Sequence, residues 1–110
     1  MPAQMFRGDT WLRSWIVKDS NNNPIDLTGA TARLHVRDAK QVLIHAASTS
    51  TAEIIITSLE GRIDLRIEAT VSEVWAIGKY KYDLELTYSN GIVLTIESSV
   101  LTVIQDQTYD

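Results

Sequence analysis

Apolar and polar side chains alternate with a period of two through most of the chain. Tyr80, Tyr82, Leu84, Leu86 and Tyr88 are separated by Lys79, Lys81, Asp83, Glu85 and Thr87. Successive side chains on a strand point to opposite faces, so this spacing predicts a strand with one dry and one wet side. A helix would spread the same charges around its whole circumference. Residues 31–37 repeat the pattern, with Ala32, Leu34 and Val36 set against Thr31, Arg33, His35 and Arg37. Residues 62–68 do the same with Ile63, Leu65 and Ile67 against Arg62, Asp64, Arg66 and Glu68. Residues 10–17 carry Trp11, Leu12, Trp15, Ile16 and Val17 at both parities and predict a strand covered on both sides. Shorter strands are expected at 41–46 and 53–57. Residues 92–104 exceed the usual length of one strand, so a bulge or bend is expected near Ser98 and Ser99.

Turn chemistry falls between these runs. Asn21, Asn22, Asn23 and Pro24 form one turn signal, Thr28 and Gly29 a second, Glu60 and Gly61 a third. Asn90 and Gly91 lie between two β-rich runs, the pattern of a hairpin. Residues 69–75 place Val71, Val74 and Trp75 at helical spacing with Ser72 and Glu73 outward, which predicts a helical turn crossing between sheets and ended by Gly78. About seven strands with frequent turns and one crossover turn predict an all-β, immunoglobulin-like antiparallel sandwich, forming a single domain over residues 1–110. Residues 1–7 and 105–110 lack periodicity and are expected to be loosely held arms.

Composition narrows the chemistry. A chain of 110 residues with 45% hydrophobic and 22% charged residues is long enough to bury a core without a staple. It has no cysteine and two histidines, which excludes disulfides and thiolate sites and leaves little for a transition metal. Ten basic against fourteen acidic residues, a net charge of -4, argues against a general nucleic-acid binder. The chain shows neither a signal-peptide stretch nor an apolar run approaching the roughly 18 residues a membrane helix needs, so a soluble protein made in a cytoplasm is expected.

Each reactive-looking residue has a plain structural role available. His35 alternates outward between Arg33 and Arg37, and His45 has no carboxylate or nucleophile at a useful spacing in sequence. Asp64, Glu68, Asp83 and Glu85 lie outward on strands that also carry Arg62, Arg66, Lys79 and Lys81, as expected of a solvated mixed-charge face. Asp19, Asn21, Asn22, Asn23 and Asp26 come nearest to a calcium cluster, but their spacing is not that of an EF-hand and turn roles explain them. Arg7, Gly8 and Asp9 spell an integrin-recognition tripeptide, with Gly8 better read as a sharp entry into the next strand. Trp11, Trp15 and Trp75 with Tyr80, Tyr82 and Tyr88 read as core rather than a stacking platform. Tyr80 suits a corner tyrosine whose hydroxyl bonds upstream backbone. No Gly-rich phosphate loop or nucleophile elbow is present. No catalytic, cofactor-binding or metal-ligating residue is assigned, and the chain is not expected to be an enzyme.

Two stretches carry a resemblance. The run from Phe6 through Arg7, Gly8, Asp9 and Thr10 to Trp11, with Val17, Lys18, Asp19 and Ser20 and the segment 24–38, resembles small domains from bacteriophage and prophage tail regions. The segment 78–91 and the run Val100, Leu101, Thr102, Val103 resemble the end of the same domains. The named family is the N-terminal domain of phage upper-baseplate proteins. Asn22 and Asn23 depart from the Asp-Gly often found at that turn, and Ser99 stands where a glycine is frequent. The resemblance implies a non-enzymatic tail, baseplate, neck or fibre-attachment component of the virion. Its expected partners are other tail, baseplate or fibre proteins and further copies of itself, rather than nucleic acid or membrane. Strand addition to short edges such as 41–46 and arm exchange are the expected means. The alternative is a carbohydrate-binding or adhesin-like sandwich using open aromatics.

Overall fold

Alternation becomes burial in the computed structural model, which describes residues 3–105. Strand β3 (Thr31–Arg37) buries Ala32, Leu34 and Val36, and β7 (Gly78–Thr87) buries Tyr80, Tyr82, Leu84 and Leu86. The remaining strands are β1 (Ala3–Phe6), β2 (Trp11–Ile16), β4 (Leu43–Ser48), β5 (Ile54–Thr57), β6 (Arg62–Ile67) and β8 (Val93–Ile104). They form a five-stranded sheet in the order β1-β8-β7-β3-β4 and a three-stranded sheet in the order β2-β6-β5. One hydrophobic cluster fills the space between the sheets, from Met5 and Trp11 to Leu101 and Val103. This is an immunoglobulin-like sandwich: β2, β6 and β5 take the B, E and D places, and β3, β4, β7 and β8 the C, C′, F and G places. Among the described residues no helix is long and apolar enough to cross a membrane.

Two hallmarks of that fold survive without cysteine. The Tyr80 hydroxyl donates to the Ala76 carbonyl at 2.5 Å, the corner bond expected at the start of the F-place strand. Two residues on, where antibody domains place half of their inter-sheet disulfide, stands Tyr82. It meets Trp11 of the opposite sheet edge-to-face, with centroids 5.2 Å apart and planes at 81°. An aromatic pair bridges the layers in the disulfide's stead.

The turns share one device. Residues 19–23, 38–42 and 88–92 each close through paired backbone hydrogen bonds, and Asn22, Gln41 and Gly91 hold the left-handed position at φ 67°, 68° and 89°. In the first two, Asp19 and Asp38 each turn one carboxylate oxygen onto two amides of the turn. Gly61 is required where it stands, because a Cβ there would lie 2.7 Å from the Val17 carbonyl oxygen.

Several expectations are corrected. There are eight strands among the described residues, not about seven. The extra one is β1, inside the segment 1–7 expected to be a loose arm: it pairs in parallel with β8, Ala3 opposite Leu101 through Phe6 opposite Ile104, and buries Met5. Four residues carry too little alternation to announce a strand, and pairing with β8 supplies what sequence does not. Residues 1–2 and 106–110 of the expected arms lie outside the described residues. Strand β2 is covered on one side only, since Leu12 and Ile16 are exposed on the outer face. The helical turn α1 (Ala69–Ser72) stops three residues short of the range expected from 69–75. Because the helix ends there, Val74 points to solvent, while Ser72 is buried with its hydroxyl donating to the Asp9 carbonyl at 2.7 Å. The fourth strand lies at 43–48 rather than 41–46, because Gln41 belongs to the turn. Finally, β8 runs unbroken through Ser98 and Ser99. The irregularity falls earlier: Leu84 faces Glu97 and Glu85 faces Thr95, leaving Ile96 as the extra residue of a bulge.

Candidate functional site

The bulge decides which side chains of β8 enter the sandwich. Directly opposed residues share a face, so Leu94 lies on the side of Leu86, where it stays exposed at the end of the sandwich, and Glu97 follows Leu84 inward. A regular strand would put residues three apart on opposite faces. Glu97 thereby reaches a polar cluster between the two sheets. Arg13 Nη2 on β2 donates to its two carboxylate oxygens at 3.0 and 3.1 Å, Trp15 Nε1 donates at 3.1 Å, and the Tyr82 hydroxyl lies at 3.2 Å. Arg13 Nη1 also donates to the Tyr82 oxygen at 2.8 Å, and its guanidinium sits 5.2 Å from the Trp15 ring centre. Burial pushes the Tyr82 hydroxyl above its ordinary pKa, while the Arg13 cation works in the opposite direction. The cluster keeps its charges paired and ties the layers together at the β2–β8 side.

The residues singled out by sequence are dispersed over the fold. His35 is half-buried on the outer face of β3, as expected. His45 differs: it lies on β4 opposite Val36, and its Nε2 meets Glu53 Oε2 at 2.8 Å. That carboxylate comes from the bend that leads into β5 of the other sheet, a proximity eight residues of sequence do not reveal. The expected mixed-charge face is divided between the outer sides of the two sheets, with Arg33–Glu85 at 2.8 Å on the five-stranded sheet and Arg62–Asp64 at 2.9 Å and Arg66–Glu68 at 2.6 Å on the three-stranded one. The first crosses strands; the other two run along β6 and the residue after it. Ser14 donates to Asp64 at 2.5 Å, and this bond, with the Arg62 guanidinium, holds the Asp64 carboxyl below the usual aspartate range.

Asp19 caps its own turn, and Asp26 accepts from the Thr28 amide and hydroxyl, which lower its pKa. Both acids of the expected loop cluster are committed to backbone. Gly8, at φ 90°, bends the chain between β1 and β2, so the Arg7-Gly8-Asp9 tripeptide is the corner joining the two sheets. Trp11, Trp75, Tyr80 and Tyr82 are core residues, and Trp15 and Tyr88 are half-buried.

Arg13 and Glu97 were not singled out by sequence. One signal was present: Glu97 is the only charged residue between 91 and 105. A lone charge inside a long β-rich run marks a side chain with a specific partner.

Two open features of the described residues bear on contacts. An apolar cleft of about 670 Å³ lies between the 38–40 turn and the crossover, with Ile44, Val71, Trp75 and Ile77 in its walls and Lys40 and Lys79 beside it. The other is a backbone edge. Among the described residues β1 covers β8 from Leu101 to Ile104, and no described strand pairs with residues 93–98 on the side away from β7.

No family model matches the chain, and no curated protein matches it. Among solved structures it is similar to CopC from Methylosinus trichosporium OB3b, with TM-score 0.46 and 13% identity over 89% of this chain and 100% of that one. It is also similar to extracellular domains 3–5 of Drosophila OTK, with TM-score 0.44 and 12% identity over 94% of this chain and 33% of that one. The chain thus spans one third of the OTK structure.

Proposed function

We propose that the chain is a non-enzymatic structural or adaptor component of a phage or prophage tail, placed in the virion at the baseplate, neck or fibre attachment and acting through protein–protein contacts. The tail assignment draws on the resemblance carried by residues 6–38 and 78–103. The contact role draws on one observation of the fold, the backbone edge along residues 93–98 of β8, which no described strand pairs on the side away from β7. Glu97, the one ionisable residue of that segment, is spent on the link between the sheets, and the edge itself offers backbone groups for strand addition. A sugar-binding platform needs at least two aromatic faces open to solvent, and Trp11, Trp75, Tyr80 and Tyr82 are buried. No observation favours that alternative.

The test is co-expression of the tagged chain with the products of the genes flanking its own. Stoichiometric co-purification with a tail, baseplate or fibre protein, and detection of the chain in purified particles, are the expected results. Flanking genes unrelated to virions, with no complex formed, overturn the proposal.

A further inference from the structure

Charges on the outer face of the five-stranded sheet are unevenly matched. Arg33 pairs with Glu85 toward one end. Toward the other, Arg37 of β3 stands directly opposite Lys81 of β7, with Lys79 two residues away on the same face and Lys40 in the adjoining turn. Arg37, Lys40, Lys79 and Lys81 make no ion pair among the described residues. Arg37 spends one N–H on the Gln41 carbonyl at 3.4 Å. Like charges directly opposite across two strands repel and destabilise the sheet. The acid nearest in sequence, Asp38, is committed to its own turn, where Oδ1 accepts from the Lys40 and Val42 amides. Asp83 follows two residues after Lys81, opposite His35. Within a chain of net charge -4, this corner is locally positive.

The same corner holds the apolar cleft of about 670 Å³, walled by Ile44, Val71, Trp75 and Ile77 and bordered by Lys40 and Lys79. Pockets of roughly 300–1,000 Å³ enclose small ligands, so there is room for a bulky apolar side chain. Apolar groups are left in water beside it. Val74 is 79% exposed and Ile77 48%, because α1 ends at Ser72 and carries no cover across them. Trp75 and Tyr80 are buried in the wall and leave no ring face open for stacking a base.

We infer that this corner docks a segment of a partner protein in which a large apolar side chain stands between acidic residues. The apolar side chain enters the cleft, and its flanking carboxylates face Lys40, Lys79, Lys81 and Arg37. Two features select this occupant together. An uncharged apolar ligand leaves the opposed cations of β3 and β7 unanswered. A nucleic acid leaves Val74 and Ile77 wet, and its phosphates meet a chain that is negative as a whole. The inference rests on the reading of the chain as a contact module and names the chemistry of what it contacts.

Binding is read by fluorescence anisotropy of labelled peptides on the full chain. The probe carries one phenylalanine between two pairs of aspartates; one control replaces the aspartates by lysines, another the phenylalanine by serine. The probe is expected to bind at least roughly tenfold tighter than either control, and to weaken as salt rises. Lys79→Glu/Lys81→Glu should weaken it by at least roughly tenfold, and Val74→Ser/Ile77→Ser by roughly fivefold or more. Leu59→Ser, at an equally exposed side chain outside the cleft walls, should leave it unaltered. All these side chains are exposed, so far-UV circular dichroism should match the wild type. Equal binding of the serine control or of an oligothymidylate, or indifference to the glutamates, overturns the inference. So does absence of probe binding at millimolar concentration. Binding that emerges only when residues 106–110 are removed, or self-association that the glutamates abolish, overturns the partner segment as occupant. Absence of peptide binding with capture of flanking gene products intact removes this inference and leaves the contact role standing.

Discussion

Replacing Glu97 with alanine should cost far more than a surface charge is worth. The substitution removes the acceptor for Arg13 at 3.0 and 3.1 Å and for Trp15 Nε1 at 3.1 Å, and leaves Tyr82 with its Arg13 contact. A hydrogen bond to a charged group contributes about 1.5–3 kcal/mol, and an orphaned, half-buried N–H adds about 1 kcal/mol. The side chains are only 27% and 16% exposed, so water replaces the lost acceptor in part. The expected loss is about 3 kcal/mol, or a fall of roughly 15 °C in melting temperature for a domain of this size. An exposed pair would give about 0–1 kcal/mol. Urea unfolding should be followed by far-UV circular dichroism, because the substitution itself alters the surroundings of Trp15. The slope should stay constant while the midpoint falls. A cycle with Arg13→Met should return a coupling of about 1–2 kcal/mol. A cost below about 1 kcal/mol with no coupling would refute the view that this cluster ties the sheets together.

Two further outcomes follow from local geometry. Gln41→Gly should stabilise the fold by about 0.5 kcal/mol: the left-handed conformation costs an ordinary residue about 1–2 kcal/mol, and the extra freedom of glycine in the unfolded chain takes back part of that; an unchanged or lower urea midpoint would contradict it. Asp64 has a folded pKa below its unfolded one through Ser14 and Arg62, so its contribution is present above the ordinary aspartate value and lost as pH falls through the folded one. Acidification should therefore cost the wild type more stability than Asp64→Asn, and parallel curves from pH 6 down to about 2 would contradict the assignment.

The architecture was legible where one face of a strand is buried and the other wet. β3, β6 and β7 keep strict alternation because their outward charges are solvated and their inward residues meet the opposite sheet. Legibility failed where something other than solvent decides the outer face. Leu12 and Ile16 look like the second face of a covered strand, yet they lie open opposite Arg66 and Arg62. Val74 looks like the next step of a helical stripe, but the stripe means nothing once the helix has ended at Ser72. The partnership of His45 with Glu53 depends on a crossing between sheets, a distance in space that local spacing cannot encode.

β8 was the least legible element, and the reason is physical. Its inward positions have to satisfy two neighbours at once: Leu94 must lie beside Leu86, and Glu97 must lie beside Leu84 to reach Arg13. Those residues are three apart, an odd separation that a regular strand assigns to opposite faces. One inserted residue, Ile96, resolves the conflict, and the insertion is what erases the period of two from the sequence of this strand. Loss of periodicity here therefore marks a constraint rather than a weak strand. The same insertion brings the only charge of the run inside, where Arg13 neutralises it across the two sheets.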